Sequence, residues 1–366
     1  MLTKRFLVTV LLLAATAMSA MAGDLMQLVP ENTAFLLNVN LGKMFATEAI
    51  KKQIDEGMAK QPADQKKAFD EFVAKTGIDP FKHLKSIVVF AAAKADQKSD
   101  KQDAGVLIDG TFEIAKILES IKSDKKAAED VSIEKFEGFD AVKGKKETDG
   151  MGVFLDNTTA VVGTNPSIKT VVDVKNGKAK SVANNAALGG LLKKVDTGST
   201  LWGVGLIPQA LKDQAKANPQ AAPLAAVNSL FFSFNYDVDL TFNFTGEVDK
   251  KENMDSVMTS LNGFLAMVKM LAGQTPEAAE ILNMIKVEAA DTAAKITLNV
   301  PKAKLDEVRK KIEERMKAAP APAAEPSKDQ PAPAADQKPT EEKAPEASSD
   351  EKAPEAPADE KAPEGN

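Results

Sequence analysis

The chain has 366 residues, no cysteine and a formal net charge of −6. This length allows two to three domains that bury their cores without disulfides. The absence of cysteine excludes thiol catalysis and cysteine-ligated metal or cluster sites, and one histidine cannot build a histidine-based zinc site. Without residues 1–22 and 318–366 the net charge is near −1 with both signs interspersed, which provides no field that would attract nucleic acid.

The N-terminal segment 1–22 has the pattern of a secretory signal peptide. Lys4 and Arg5 precede an apolar run over 6–17, and the segment ends in Ala20-Met21-Ala22. A run of about twelve apolar residues is too short to span a bilayer and suits a signal peptide. We therefore expect cleavage between Ala22 and Gly23 and export to a periplasm or to the medium. No later run predicts a membrane span.

The segment Leu28-Val29-Pro30-Glu31-Asn32-Thr33 leads into a predicted strand over 34–39. This start resembles an uncharacterised group of exported bacterial proteins. In that group a Leu-x-Pro-x-[Asp/Asn]-Thr motif introduces the first strand of a duplicated α+β unit. The resemblance implies an envelope or secreted location in a bacterium, and no catalytic residue comes with it.

The period of the apolar pattern changes repeatedly between 34 and 180, which predicts short strands and helices in alternation. Helical periodicity covers 42–75 in two helices divided at Pro62, and Gly77 is expected to cap the second. Asn165 is predicted to cap a later helix that has Pro166 at its first position. The predicted strands in this part are 34–39, 86–91, 105–109, 131–136, 139–143, 152–155 and 160–163. A further helix is predicted around 114–121.

A similar order of elements returns after a polar joint at 176–180. The predicted strands are 200–206, 229–234, 240–244, 286–289 and 295–300. The predicted helices are 208–216, 250–271, 276–285 and 302–316. Both parts read as β-α-β-β-α-β-β-α, which predicts an internal duplication with repeats over 23–180 and 181–317. The predicted fold class is α+β, with mostly antiparallel sheets and helices packed on one face in each repeat.

The segment 318–366 is predicted to be a disordered tail. It holds twelve acidic residues against five lysines, a net charge of −7, and ten of the 19 prolines. It contains no aromatic residue and no Ile, Leu, Val or Met, so it cannot bury enough apolar area to offset the entropy of ordering. We expect a solubilising spacer or a tether to a charged envelope polymer or protein partner.

Candidate reactive groups each have a structural explanation. His83 lies between a proline turn and a strand, which favours a surface or capping role. Asp237 and Asp239 flank a hairpin turn, where Asp is a standard residue, although paired carboxylates also serve acid–base chemistry. No nucleotide-binding, nucleophile-elbow or zinc-helix motif is present. The prediction is therefore no catalytic residue, no cofactor and no metal.

The Met-rich helix over 250–271 is the candidate ligand-binding element. Met258, Phe264, Leu265 and Met267 could line a site for an apolar ligand, because methionine adapts to irregular apolar shapes. Core packing is the competing explanation. Three functions follow from the sequence: a non-enzymatic exported protein that acts through its surfaces, a carrier of an apolar ligand such as lipid, or a hydrolase with carboxylate or Ser–Lys chemistry. The first is the main prediction.

Overall fold

The computed structural model describes residues 25–92, 103–146, 150–218, 221–273 and 275–318. The predicted cleavage site between Ala22 and Gly23 and the predicted tail beyond Ala318 lie outside these residues. No helix in the described ranges is long and apolar enough to cross a bilayer.

Within the described residues twelve strands form one antiparallel sheet. They are β1 (Thr33–Asn40), β2 (Leu84–Ala92), β3 (Ala104–Gly110), β4 (Val131–Phe136), β5 (Phe139–Gly144), β6 (Met151–Phe154), β7 (Thr159–Gly163), β8 (Leu201–Leu206), β9 (Val227–Tyr236), β10 (Leu240–Val248), β11 (Lys286–Ala290) and β12 (Ala293–Val300). Their order across the sheet is β11-β12-β10-β9-β8-β1-β2-β3-β7-β6-β5-β4. The helices and the antiparallel sheet confirm the α+β class.

The helices connect these strands and end the described chain. They are α1 (Leu41–Ala46), α2 (Glu48–Ala59), α3 (Ala63–Thr76), α4 (Pro80–His83), α5 (Ile114–Ser123), α6 (Lys125–Asp130), α7 (Asn165–Lys175), α8 (Ala186–Leu192), α9 (Gln209–Ala217), α10 (Met254–Ala272), α11 (Pro276–Leu282) and α12 (Lys302–Ala318). Gly77 ends α3 in the left-handed region at φ 75°, as predicted. The cap of α7 is Thr164 rather than Asn165, because the Thr164 hydroxyl accepts the Ser167 N–H.

The sheet continues across the predicted repeat boundary. β1 and β8 pair antiparallel at its centre, with Asn38 opposite Trp202. We call the face that carries Trp202 the front face and the face that carries its neighbour Leu201 the back face. Successive side chains of a strand alternate between the two faces.

Helices cover both faces of the central strands. On the front face Leu36 and Val88 belong to one core with Ile168 of α7 and Leu188 of α8. On the back face Val39 and Ile87 join a second core with Leu41 of α1 and Ile117 of α5. The prediction of helices on one face is therefore wrong here. The physical reason is that β1 and β2 carry apolar side chains on both sides, the pattern of a doubly covered strand.

The second half of the sheet has a covered side and an open side. On the back face six apolar side chains of β9, β10 and β12 form a layer in which each is half-buried: Phe232, Phe234, Phe242, Phe244, Ile296 and Leu298. On the front face Asn243, Lys295 and Asn299 are exposed. This alternation is typical of an antiparallel sheet covered on one side only.

Candidate interaction surface on helix α10

Helix α10 carries few charges for its length. It runs for 19 residues, of which only Asp255 and Lys269 are charged. A helix that is apolar around most of its circumference is usually buried on all sides. The composition of α10 therefore predicts that apolar groups contact it from more than one side.

The inward side of α10 packs on the sheet. Met254 and Val257 are buried in a core with Ala294 of β12, and Met258 and Leu261 pack against the same core. Ala294 lies on the back face. It pairs with Gly246 of β10, which pairs with Leu230 of β9, and Leu230 shares the back face with Phe232 and Phe234. The helix is thus fixed on the back face over the outermost strands.

The outward side of α10 is apolar and exposed. Phe264 is 62% exposed, Met267 47%, Met270 72% and Leu271 63%. Steps of three and four residues place Phe264, Met267 and Leu271 along one flank of the helix. We call these four side chains the α10 stripe. Contiguous exposed apolar patches on folded proteins mark interaction sites more often than chance exposure does.

The structure divides the four residues that were predicted to bind an apolar ligand. Met258 packs against the inner core and Leu265 is half-buried, whereas Phe264 and Met267 belong to the exposed stripe. One enclosed site that contains all four does not form among the described residues. Periodicity predicted an apolar helix, but both of its sides carry large apolar residues, so periodicity alone could not assign the exposed one.

Two surface pockets of the described residues lie elsewhere. One, of about 20 Å³, is lined by Pro30, Phe90, Asp103 and Ser167 among others, and has room for about one water molecule. The other is a wide, shallow depression on α3 beside Lys66 and Asp70. None of the back-face layer residues lines either pocket.

The motif at 28–33 has a structural role. Val29 is buried in the front-face core, and its carbonyl accepts the Val182 N–H. The side-chain amide of Asn185 donates to the carbonyls of Glu31 (2.8 Å) and Thr33 (3.3 Å). Through these hydrogen bonds the motif connects the start of β1 to the segment that precedes α8. Fold geometry accounts for these residues without chemistry.

His83 and Asp239, two of the residues considered for chemistry, serve structural roles. His83 Nδ1 accepts the Asp79 N–H at 2.9 Å, which is a capping contact at α4. Asp239 lies in the hairpin turn and accepts the Lys302 N–H at 2.9 Å, at the start of α12. No group of three His, Cys, Asp or Glu residues in the described ranges could hold a metal ion.

Asp156 has a strongly perturbed carboxyl group, but it is poorly suited to be a base. Burial raises its pKa, while hydrogen bonds from Lys175 (2.8 Å) and from the hydroxyl and N–H of Thr158 outweigh burial and hold the pKa well below its usual range. A carboxylate with a lowered pKa is a weak proton acceptor. These contacts stabilise the turn between β6 and β7.

An ion-pair network fastens α12 to α11. Arg315 contacts Glu277 at 2.7 Å, Lys311 contacts Glu280 at 2.9 Å, and Lys304 also contacts Glu280. Hydrogen bonds from Lys304 and Lys311 lower the pKa of Glu280 from 4.5 to about 2. The network stabilises the docked position of the last described helix.

This network predicts an acid-sensitive contribution of Glu280 to stability. Because the folded-state pKa is depressed, the contribution is present above the unfolded value of 4.5 and disappears as the pH falls toward about 2. We expect Glu280→Gln to lower the thermal midpoint at neutral pH. The difference between the thermal midpoints of the variant and the wild type should vanish as the pH approaches about 2. Scanning calorimetry at several pH values measures it. Glu252→Gln, at an exposed position, is the control, and a difference independent of pH would contradict the assignment.

The described residues thus present one exposed apolar surface on α10 and no group of His, Cys, Asp or Glu residues that could hold a metal ion. The motif at 28–33, the histidine and the perturbed carboxylates Asp156 and Glu280 have hydrogen-bond or ion-pair partners within the fold. Comparison of the chain with protein-family models, with curated proteins and with solved structures finds no match.

Proposed function

We propose that this chain is an exported, non-enzymatic protein that acts by binding a partner at the α10 stripe. The observation that carries the proposal is the exposure of Phe264, Met267, Met270 and Leu271 on an almost uncharged helix. Burying one such side chain completely contributes roughly 1.5–3 kcal/mol. A partner that covers the stripe therefore gains a substantial part of a stable binding energy.

Export is supported by the segment 1–22 and by the resemblance of 28–33 to exported bacterial proteins. Localisation to the periplasm or medium places the stripe outside the cytoplasm, within reach of envelope partners. The acidic segment 318–366 extends this binding role as a spacer or a tether to an envelope polymer. N-terminal sequencing of the mature protein tests export; a mature chain that still begins at Met1 would contradict it.

We also infer that the fold arose by duplication. The inference is supported by neighbour order, since β1-β2-β3-β7-β6 and β8-β9-β10-β12-β11 follow the same path. In each run two helices follow the third strand, and the first run carries the additional strands β4 and β5 before the hairpin that ends it. Superposition of the two runs in an experimental structure tests this. If equivalent strands of the two superposed runs had opposite directions, a common origin of the two runs would be excluded.

A second candidate function is the carriage of an apolar ligand against the back face. It is favoured by the six side chains of the back-face layer, four of them Phe, which stay half-buried beneath the helices. A ligand inserted there would bury them completely. Organic extraction of the purified protein followed by mass spectrometry tests this function. An extract free of stoichiometric lipid would leave surface binding as the function.

Site-specific crosslinking in the native cells tests the main proposal. A photoreactive phenylalanine analogue at Met267 is expected to form a discrete adduct, because this side chain lies in the middle of the stripe. The same analogue at Asn262 is the matched control, since Asn262 is exposed on another side of the same helix. Absence of an adduct at Met267, or equal adducts at both positions, would show that the stripe is not the binding surface.

A further inference from the structure

The sheet ends at β11, a strand that is in contact with helix α10. β11 is the outermost strand on its side of the sheet and pairs only with β12 in the described part of the chain. An edge strand presents unpaired N–H and C=O groups to any further strand. Helix α10 packs against both β11 and β12. The strand edge is therefore in contact with the helix that carries the stripe.

The side chains of β11 are complementary to a second copy of themselves. In an antiparallel pair centred on Val287, Lys286 of one copy lies opposite Glu288 of the other, and the reverse pair forms by symmetry. Both side chains are exposed and neither has an ion-pair partner among the described residues. A pair centred on Glu288 would instead place two carboxylates face to face, which is unfavourable.

Backbone geometry favours the same register. The turn between β11 and β12 has two residues, Asp291 and Thr292, which makes Ala290 and Ala293 a hydrogen-bonded pair. Hydrogen-bonded positions alternate along a strand, so Val287 and Ala289 direct their N–H and C=O groups to the open edge. Val287 can thus exchange two hydrogen bonds with Val287 of a second copy.

The opposite edge of the sheet differs in its charges. On β4, Lys135 contacts Asp140 at 2.8 Å and Glu134 contacts Lys143 at 3.8 Å, both on the neighbouring strand β5. The charges of β4 are therefore paired within the chain, whereas on β11 Lys286 has the uncharged Thr297 opposite it and Glu288 has Lys295 opposite it without an ion pair among the described residues. This contrast selects β11 as the edge for association.

Sheet extension at β11 would bring two α10 helices together. Neighbouring strands lie about 4.8 Å apart. A two-fold axis perpendicular to the sheet, between the two β11 strands, would keep both α10 helices on the same face. Because each helix lies over β11 and β12, the two helix axes would then be roughly 10 Å apart. Packed helices lie 8–10 Å apart. This arrangement pairs the two helices that carry the exposed apolar stripe. Contact between the two stripes would add apolar burial to a strand pair that is short.

We propose that this chain forms a two-fold dimer in which β11 pairs antiparallel with β11 of a second copy and the two α10 stripes cover each other. The proposal deepens the proposed function, on which it rests, by naming the partner of the stripe. It accounts for the exposure of the stripe, the unpaired edge and the unpaired charges of Lys286 and Glu288 together.

Charge exchange at the edge tests the dimer by sedimentation velocity of the purified mature chain over a concentration series. Lys286→Glu and Glu288→Lys, each alone, turn two attractive cross-strand pairs into two repulsive ones. Each is expected to raise the dimer dissociation constant about tenfold. The double variant restores opposite charges and is expected to return the constant to the wild-type range. Lys60→Glu makes the same charge change at an exposed position remote in sequence and serves as the control.

A spectroscopic control and one helix variant separate folding defects from lost association. The far-ultraviolet circular dichroism spectrum of each variant is expected to match that of the wild type, which shows that the variant is folded. Leu271→Gln changes the stripe without changing the strand and is also expected to raise the dimer dissociation constant. Wild-type protein that stays monomeric at every concentration overturns the dimer, as does a double variant no better than the single ones. If the Met267 crosslink then joins a protein of another mass, surface binding stands and only the self-association is wrong.

Discussion

Trp202→Ala is expected to lower the free energy of unfolding by about 3–5 kcal/mol, the range for removing a large buried aromatic side chain. Trp202 is 1% exposed and belongs to the front-face core, which includes Leu36 and Val204. It lies on β8, between Asn38 of β1 and Ser233 of β9. The cavity would therefore open where the two halves of the sheet meet, and urea unfolding followed by circular dichroism measures the loss.

Trp202→Phe separates packing from hydrogen bonding at the same position. The indole N–H of Trp202 is buried and has no hydrogen-bond partner among the described residues. Replacement by Phe therefore breaks no polar contact and is expected to cost clearly less than replacement by Ala. An alanine variant within about 1 kcal/mol of wild type would show that this core is not closely packed.

Gly163→Ala is expected to destabilise the protein by about 1–3 kcal/mol through overpacking. A Cβ atom at Gly163 would lie 2.7 Å from the Ala104 carbonyl oxygen and 2.9 Å from the Gly105 Cα. Both are backbone atoms of the paired strand β3, so they cannot rotate away as the end of a side chain can. The strand itself would have to move, and the thermal midpoint should fall.

Gly152→Ala is the matched control, because Gly152 lies on the adjacent strand β6. A Cβ there would approach no atom closer than 3.6 Å, which is an ordinary contact. Since alanine reduces the entropy of the unfolded chain, this variant is expected to be neutral or to stabilise by up to about 1 kcal/mol. Equal losses at the two positions would mean that glycine is needed for backbone freedom and not for close approach.

The strands were predictable because their signals are local. Each of the twelve strands overlaps a predicted strand. The hairpins β4–β5, β9–β10 and β11–β12 pair strands that are neighbours in the sequence. Helix α8 was missed, since its sequence Ala-Ala-Leu-Gly-Gly-Leu-Leu contains two glycines, which disfavour a helix. Its cap is supplied by Asn185, which accepts the Leu188 N–H at 3.0 Å.

The candidate surface was predictable only in part. The pattern over 250–271 identified an apolar helix and named two members of the stripe, Phe264 and Met267. Met270 and Leu271 were not assigned to it, although their spacing from Met267 is a helical one. A helix with large apolar residues on both sides has no single hydrophobic direction, so its period cannot tell which residues the sheet will cover.

Amino-acid order alone settled the α+β class, the antiparallel hairpins and the lack of cysteine chemistry, because each depends on residue identity or on neighbours a few positions away. Contacts between distant segments decided the rest. The pairing of β1 with β8, the covering of both faces of the central strands and the exposure of the α10 stripe each join residues far apart in the chain. No local periodicity encodes such contacts, since they follow from which surfaces remain unburied once the neighbouring elements have packed.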